Sequence, residues 1–161
     1  MRAFTLVEVL VSLLILSVVL AGVYAVFNIG NTSYLIDISL MRLQQDARQG
    51  MQALVKELRN SNNIAVTALD ANNDKITFNT YSGSGISYYR DLSDANADGV
   101  TTQIIREYPL GTRKVIASNI TRLKFTYANH IVITDITASS TVRRRALSYP
   151  LKSQVRIRNE R

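Results

Sequence analysis

A chain of 161 residues, 47% of them apolar, has room for one globular domain of modest core beside the apolar run at its start. It has no cysteine and a single histidine, so disulfides, thiolate chemistry and a histidine-built zinc centre are excluded. The net charge of +7 is local: residues 1–142 hold twelve Lys and Arg against eleven Asp and Glu, whereas residues 143–161 hold seven against Glu160 alone. Such a basic end can attract nucleic acid, anionic lipid headgroups or an acidic partner.

The chain opens with Met1-Arg2-Ala3-Phe4-Thr5-Leu6-Val7-Glu8, followed by a charge-free run from Val9 to Phe27. Nineteen such residues, rich in Leu, Val and Ile, are long enough to cross a bilayer core as a helix. The run is too long for an ordinary secretory signal, and the small residue, Ala3, precedes it instead of following it. Arg2 ahead of the run and no charge after it until Asp37 predict a cytoplasmic N-terminus. Glu8 has two readings from physics alone: an anion favoured by the helix N-terminal dipole, or a charge that pairs with another chain.

Ala3-Phe4-Thr5-Leu6-Val7-Glu8-Val9-Leu10-Val11 resembles the prepilin-type cleavage and methylation motif of type IV pilins and type II secretion pseudopilins. That pattern is a small residue, a cut, Phe, three residues and Glu, opening a membrane helix; Gly is usual before the cut, and Ala3 stands there in this chain. The resemblance implies cleavage between Ala3 and Phe4 by a prepilin peptidase, methylation of the Phe4 amine, and pairing of Glu8 with the amine of a neighbouring subunit. The segments Gln44–Asn60 and Leu151–Asn159 are more loosely similar to the family's minor members. The missing cysteine-closed loop of many major pilins fits a minor pilin, a pseudopilin or a lineage that does not use such a loop.

Further along, Ser12, Ser17 and Gly22 are small residues that either allow close helix packing or are simply tolerated in a membrane helix. Asn28 to Ser33 is a weak point, where Gly30 and two Asn lower helix propensity, and a bend, or a stretch that melts in a filament, is expected between Gly22 and Ser33. From Tyr34 to about Asn60 the helical period returns, with Leu40, Leu43, Ala47, Met51, Leu54 and Leu58 on one stripe. One helix from Thr5 to Asn60 would be roughly 84 Å long, a length that makes sense only in a membrane or a bundle. Strands are predicted over 75–81, 86–90, 103–108, 120–127, 131–137 and 154–158, with Ile76 and Phe78, and Leu123, Phe125 and Tyr127, facing inward. The expected fold is α+β: a long N-terminal helix on an antiparallel sheet.

Three stretches are candidates for chemistry. Asp94, Asn96 and Asp98, followed by Gly99, match the first half of a calcium loop, but Ile105 stands where the bidentate Glu belongs. A poorer copy runs from Asp70 to Asp74, and both stretches also read as Asx-rich turns. Arg143, Arg144, Arg145, Arg156 and Arg158 are candidate anion or nucleic-acid contacts, or else a solvated face that guards an edge strand. His130 has no second histidine, cysteine or Gly-framed serine to work with, so no enzyme is expected, and calcium is the one cofactor to consider.

The organisation expected is a leader at 1–3, a hydrophobic membrane and filament-core helix at 4–33, and a soluble pilin-like domain at 34–161, with helix over 34–60 and sheet over 64–161, periplasmic before assembly and extracellular in a filament. The function the resemblance implies is a structural subunit, stored in the inner membrane, of a type IV pilus or type II secretion pseudopilus. Its partners would be other pilin or pseudopilin subunits, the prepilin peptidase and inner-membrane lipid. A single-pass anchored binding domain that never polymerises, and a minor pilin that binds DNA during uptake, are the alternatives.

Overall fold

The computed structural model describes residues 5–93 and 102–158. Helix α1 runs Leu6–Leu58 without interruption, and eight strands follow: β1 (Asn62–Asp70), β2 (Asn73–Thr80), β3 (Gly83–Asp91), β4 (Gln103–Glu107), β5 (Arg113–Ala117), β6 (Ile120–Ala128), β7 (Ile131–Val142) and β8 (Arg145–Arg156). The chain forms two compact units, residues 1–38 and residues 39–161.

In the first unit every described residue from Leu6 on is helical, and residues 5–27 are all exposed. The side chains are apolar all round the helix, so no single stripe marks a face for packing. The hydroxyls inside it are satisfied locally: Ser12 donates to the Glu8 carbonyl at 2.7 Å and Ser17 to the Leu14 carbonyl at 2.7 Å. A further such bond, Thr32 to the Asn28 carbonyl at 2.8 Å, lies within the Asn28–Ser33 stretch. The helix is unbroken there, so the propensity cost of Gly30 and its neighbours is not enough to end it.

In the second unit α1 lays its stripe on the sheet. Leu43, Ala47, Met51, Leu54 and Leu58 are buried, and Leu40 half-buried. The five buried residues share one core cluster with Ile76 and Phe78 of β2, Leu123 of β6 and Ile136 of β7. Full burial of a large apolar side chain is worth about 1.5–3 kcal/mol, so this stripe is what holds helix to sheet. Gly50 belongs to it too: a Cβ there would sit 3.0 Å from Ile104 and 3.2 Å from the Ala117 Cβ, so its missing side chain sets how closely α1 approaches β4 and β5. Polar ties flank the stripe. Arg106 donates to Glu57 at 2.9 Å, and Asn119 to Asp46 at 2.9 Å. Burial pushes the nearby Tyr88 phenol well above its usual range; the Glu57 carboxylate adds to the rise and Arg106 opposes it. Ser61 ends the helix by donating both its amide and its hydroxyl to the Leu58 carbonyl.

The strand order is β5-β4-β3-β2-β6-β7-β8, with β1 paired to β2. All neighbours are antiparallel except β2 and β6, which meet in parallel at Asn73 and Leu123 alone, so the sheet is mixed and not purely antiparallel as expected. Side chains around this thin junction tie β2 to β3, and both β3 and β2 to β6. Asn73 replaces a strand partner for Arg90, donating to its carbonyl at 2.8 Å and accepting its amide at 3.0 Å. Asp74, almost fully buried, accepts the Phe125 amide at 2.9 Å and the Lys124 ammonium at 2.7 Å. Arg90 reaches across to the Thr121 carbonyl at 2.8 Å.

Three details differ from expectation. The Ser82-Gly83-Ser84-Gly85 run reads in sequence as the turn before the 86–90 strand, but the β2–β3 turn is Tyr81-Ser82; Gly83 already lies in β3, where any Cβ would collide with the Tyr108 ring. Strands β1 and β5 were not expected, and β8 starts nine residues earlier than predicted, with Pro150 inside it. Pro is tolerated there because β8 is an edge strand.

Candidate assembly segment and basic clusters

The described chain begins at Thr5, and Thr5 and Glu8 cap α1 reciprocally. The Thr5 hydroxyl accepts the Glu8 amide at 3.3 Å, and Glu8 Oε2 accepts the Thr5 amide at 3.2 Å. This is a capping box, the Thr-x-x-Glu spacing that satisfies two otherwise orphaned donors at a helix start. The Thr5 hydroxyl also lies 3.3 Å from Oε2. Each of these contacts of the Glu8 carboxylate uses Oε2. Sequence reasoning placed Glu8 at a helix start but missed the box, although Thr5-Leu6-Val7-Glu8 spells it. Ala3 and Phe4 lie outside the described residues.

Beyond the box, the helix has an 18-residue window of mean hydropathy 2.7, none of it buried, which is long and apolar enough to cross a membrane. No polar backbone group in such a segment needs an outside partner, because a helix satisfies its own.

The five arginines do not form one patch. Arg143 and Arg144, at φ 47° and 66°, are the two central residues of the β7–β8 hairpin turn, and Arg145 pairs with Val142 at its base. Two positive φ angles are the geometry of a type I′ turn, normally filled by Asn and Gly. Arg156 is at the far end of the 12-residue β8, paired with Ile131. At about 3.3 Å per residue the two clusters stand roughly 35 Å apart. Arg156 and Arg158 are exposed, with Val155 and Ile157 buried on the opposite face, as the alternation predicts.

Asp94, Asn96 and Asp98 lie outside the described residues. The poorer copy is a β1–β2 turn whose oxygens hold protein donors: Asp70 accepts the Asn72 amide at 2.7 Å and pairs with Arg90 at 3.3 Å, while Asn73 and Asp74 are engaged at the sheet junction. Among the described residues no group of three or more His, Asp or Glu is placed to hold a metal ion.

A capping box heading an exposed, all-round apolar helix, continued by an amphipathic stripe on a sheet, is the arrangement of a chain anchored by its N-terminus. The sequence comparison gives the class. Residues 1–24 match the family model described as the prokaryotic N-terminal methylation motif, so the chain carries the N-terminal signature of type IV pilin-like prepilins. No curated protein and no solved structure matches significantly.

Proposed function

We propose that this chain is a non-enzymatic structural subunit of a type IV pilus or type II secretion pseudopilus, in a minor, priming or tip role. In this reading residues 1–3 are a leader removed by the prepilin peptidase, residues 4–33 anchor the chain in the inner membrane with the N-terminus cytoplasmic, and residues 34–161 are exported. The observation that carries it is the methylation motif at 1–24 running directly into an exposed apolar helix. The same helix then serves twice: as anchor before assembly, and as one strand of an apolar bundle afterwards.

Glu8 links the two states. Its cap uses Oε2, so a second donor taken by Oε1 would not compete with the box. The cationic amine of a cleaved neighbour entering an apolar bundle is costly without a counter-charge, and Glu8 supplies one. Processing is tested by mass spectrometry of the native N-terminus. The expected mature chain starts at Phe4 with a methylated amine; a chain that keeps Met1, or is cut after the apolar run, removes the reading.

A further inference from the structure

The end of β8 does more than expose two arginines. Arg156 and Arg158 line a groove of about 680 Å³ together with Arg59, just past the last residue of α1, and His130, in the β6–β7 turn. The Ile157 amide donates to the His130 carbonyl at 2.9 Å, tying that turn to the strand end. His130 and Asn129 both hold positive φ, 60° and 52°, in a two-residue turn that places His130 in the groove wall. Among the described residues none of the three arginines takes part in an ion pair, and no carboxylate lines the groove.

Each charge has a local explanation. Arg59 complements the C-terminal dipole of α1, and Arg156 and Arg158 discourage pairing at an edge strand. Neither explains why charges from two elements converge on one cavity beside the only histidine of the sequence. We infer that this groove is a binding site for a phosphate-bearing anion. Three guanidiniums repel one another, and a multivalent oxyanion relieves that repulsion better than a single carboxylate. A guanidinium fork also matches two oxygens of a tetrahedral phosphate. The site is independent of the Arg143–Arg145 turn at the other end of the hairpin and of the filament reading.

The test uses the full chain in nonionic micelles at low ionic strength, with inorganic pyrophosphate as probe. Because the sequence has one histidine and that residue lines the groove, the His130 resonances give a single local probe of the site. A saturable shift is expected, weakened about tenfold or more in Arg156→Ala/Arg158→Ala and in Arg59→Gln, since each removes a charge-assisted hydrogen bond. Arg144→Ala should leave it within about twofold, because a single charge roughly 35 Å away contributes little Coulomb energy through water. An unchanged near-UV circular dichroism spectrum verifies that the variants are folded. A second arm replaces pyrophosphate with phosphatidylglycerol doped into the micelles; a shift in that arm alone identifies the phosphate as a lipid headgroup. No saturable shift in either arm, or equal weakening by Arg144→Ala, overturns the site.

Discussion

One helix is built in two ways. From Leu6 to Phe27 it is apolar on every side and exposed; from Leu43 to Leu58 it is apolar on one stripe, and that stripe is buried. Secondary structure is the same in both stretches, so propensity does not separate them. What separates them is the solvent each is written for. An all-round apolar surface finds no match in water and fits lipid or a bundle of like helices. A stripe with Gln, Arg and Lys on its back fits a sheet on one side and water on the other. The period of the apolar residues therefore tells more about where a helix lives than its helicity does.

That contrast can be broken most forcefully with a pair of truncations. Leu54 is fully buried against the sheet, whereas Leu14 is 65% exposed. Leu54→Ala should lower the stability of the sheet-bearing unit by about 2–5 kcal/mol, the transfer loss plus the cavity left behind. Leu14→Ala should leave it unchanged. Denaturant titration of the full chain in micelles, followed by tyrosine near-UV circular dichroism, measures both. Equal effects would mean that the first stretch also packs against protein.

The next largest effect is expected at the β2–β6 junction. Asp74→Ala removes the acceptor of the buried Phe125 amide and of Lys124. A cost of about 2–3 kcal/mol is expected, mostly from leaving the amide unpaired, because Lys124 can turn to solvent. Loss of less than about 0.5 kcal/mol would show that the two parts of the sheet hold without it.

How much of this was legible in the sequence depends on which signal each element uses. Leu43, Ala47, Met51, Leu54 and Leu58 were legible because a helical stripe is a strong periodic signal, and so were Ile76, Phe78, Leu123 and Phe125, because alternation in half-buried strands is. Strand β1 was missed because it is mostly exposed and carries little alternation. The first part of β8 was hidden by Pro150 and by three arginines that read as a charge cluster, when two of them make a turn. Gly50 was passed over because a glycine contributes nothing to an apolar pattern, although the core closes around it. The Asp70–Asp74 stretch looked like half a metal loop because a sheet junction built from side chains uses the same oxygen-rich residues. At the candidate site, the five arginines are adjacent in charge counts but divided by strand topology, and Arg59 and His130 join the groove only through the fold.

A smaller effect follows from the raised pKa of Tyr88. A phenol held neutral in the folded state contributes fully below the unfolded value of about 10. As pH rises past that value the unfolded chain ionises first, so stability falls on the alkaline side. Tyr88→Phe should flatten the alkaline limb of a stability–pH profile, on top of a pH-independent offset from losing the phenol's contacts with Glu57 and Arg106. An identical limb in the variant would place the titration elsewhere.

The most direct test of the assembly account is at Glu8, where two roles share one carboxylate. Gln also closes a capping box, so Glu8→Gln keeps the helix start and removes only the charge, whereas Glu8→Ala removes both. The measurement is the amount of this chain recovered in purified filaments, relative to the membrane-bound pool, for both variants. If Glu8 neutralises a neighbour's amine, both variants stay in the membrane, are still cut after Ala3, and are poorly incorporated. Normal incorporation of Glu8→Gln, with loss only in Glu8→Ala, would contradict the pairing and leave Glu8 as a helix cap alone.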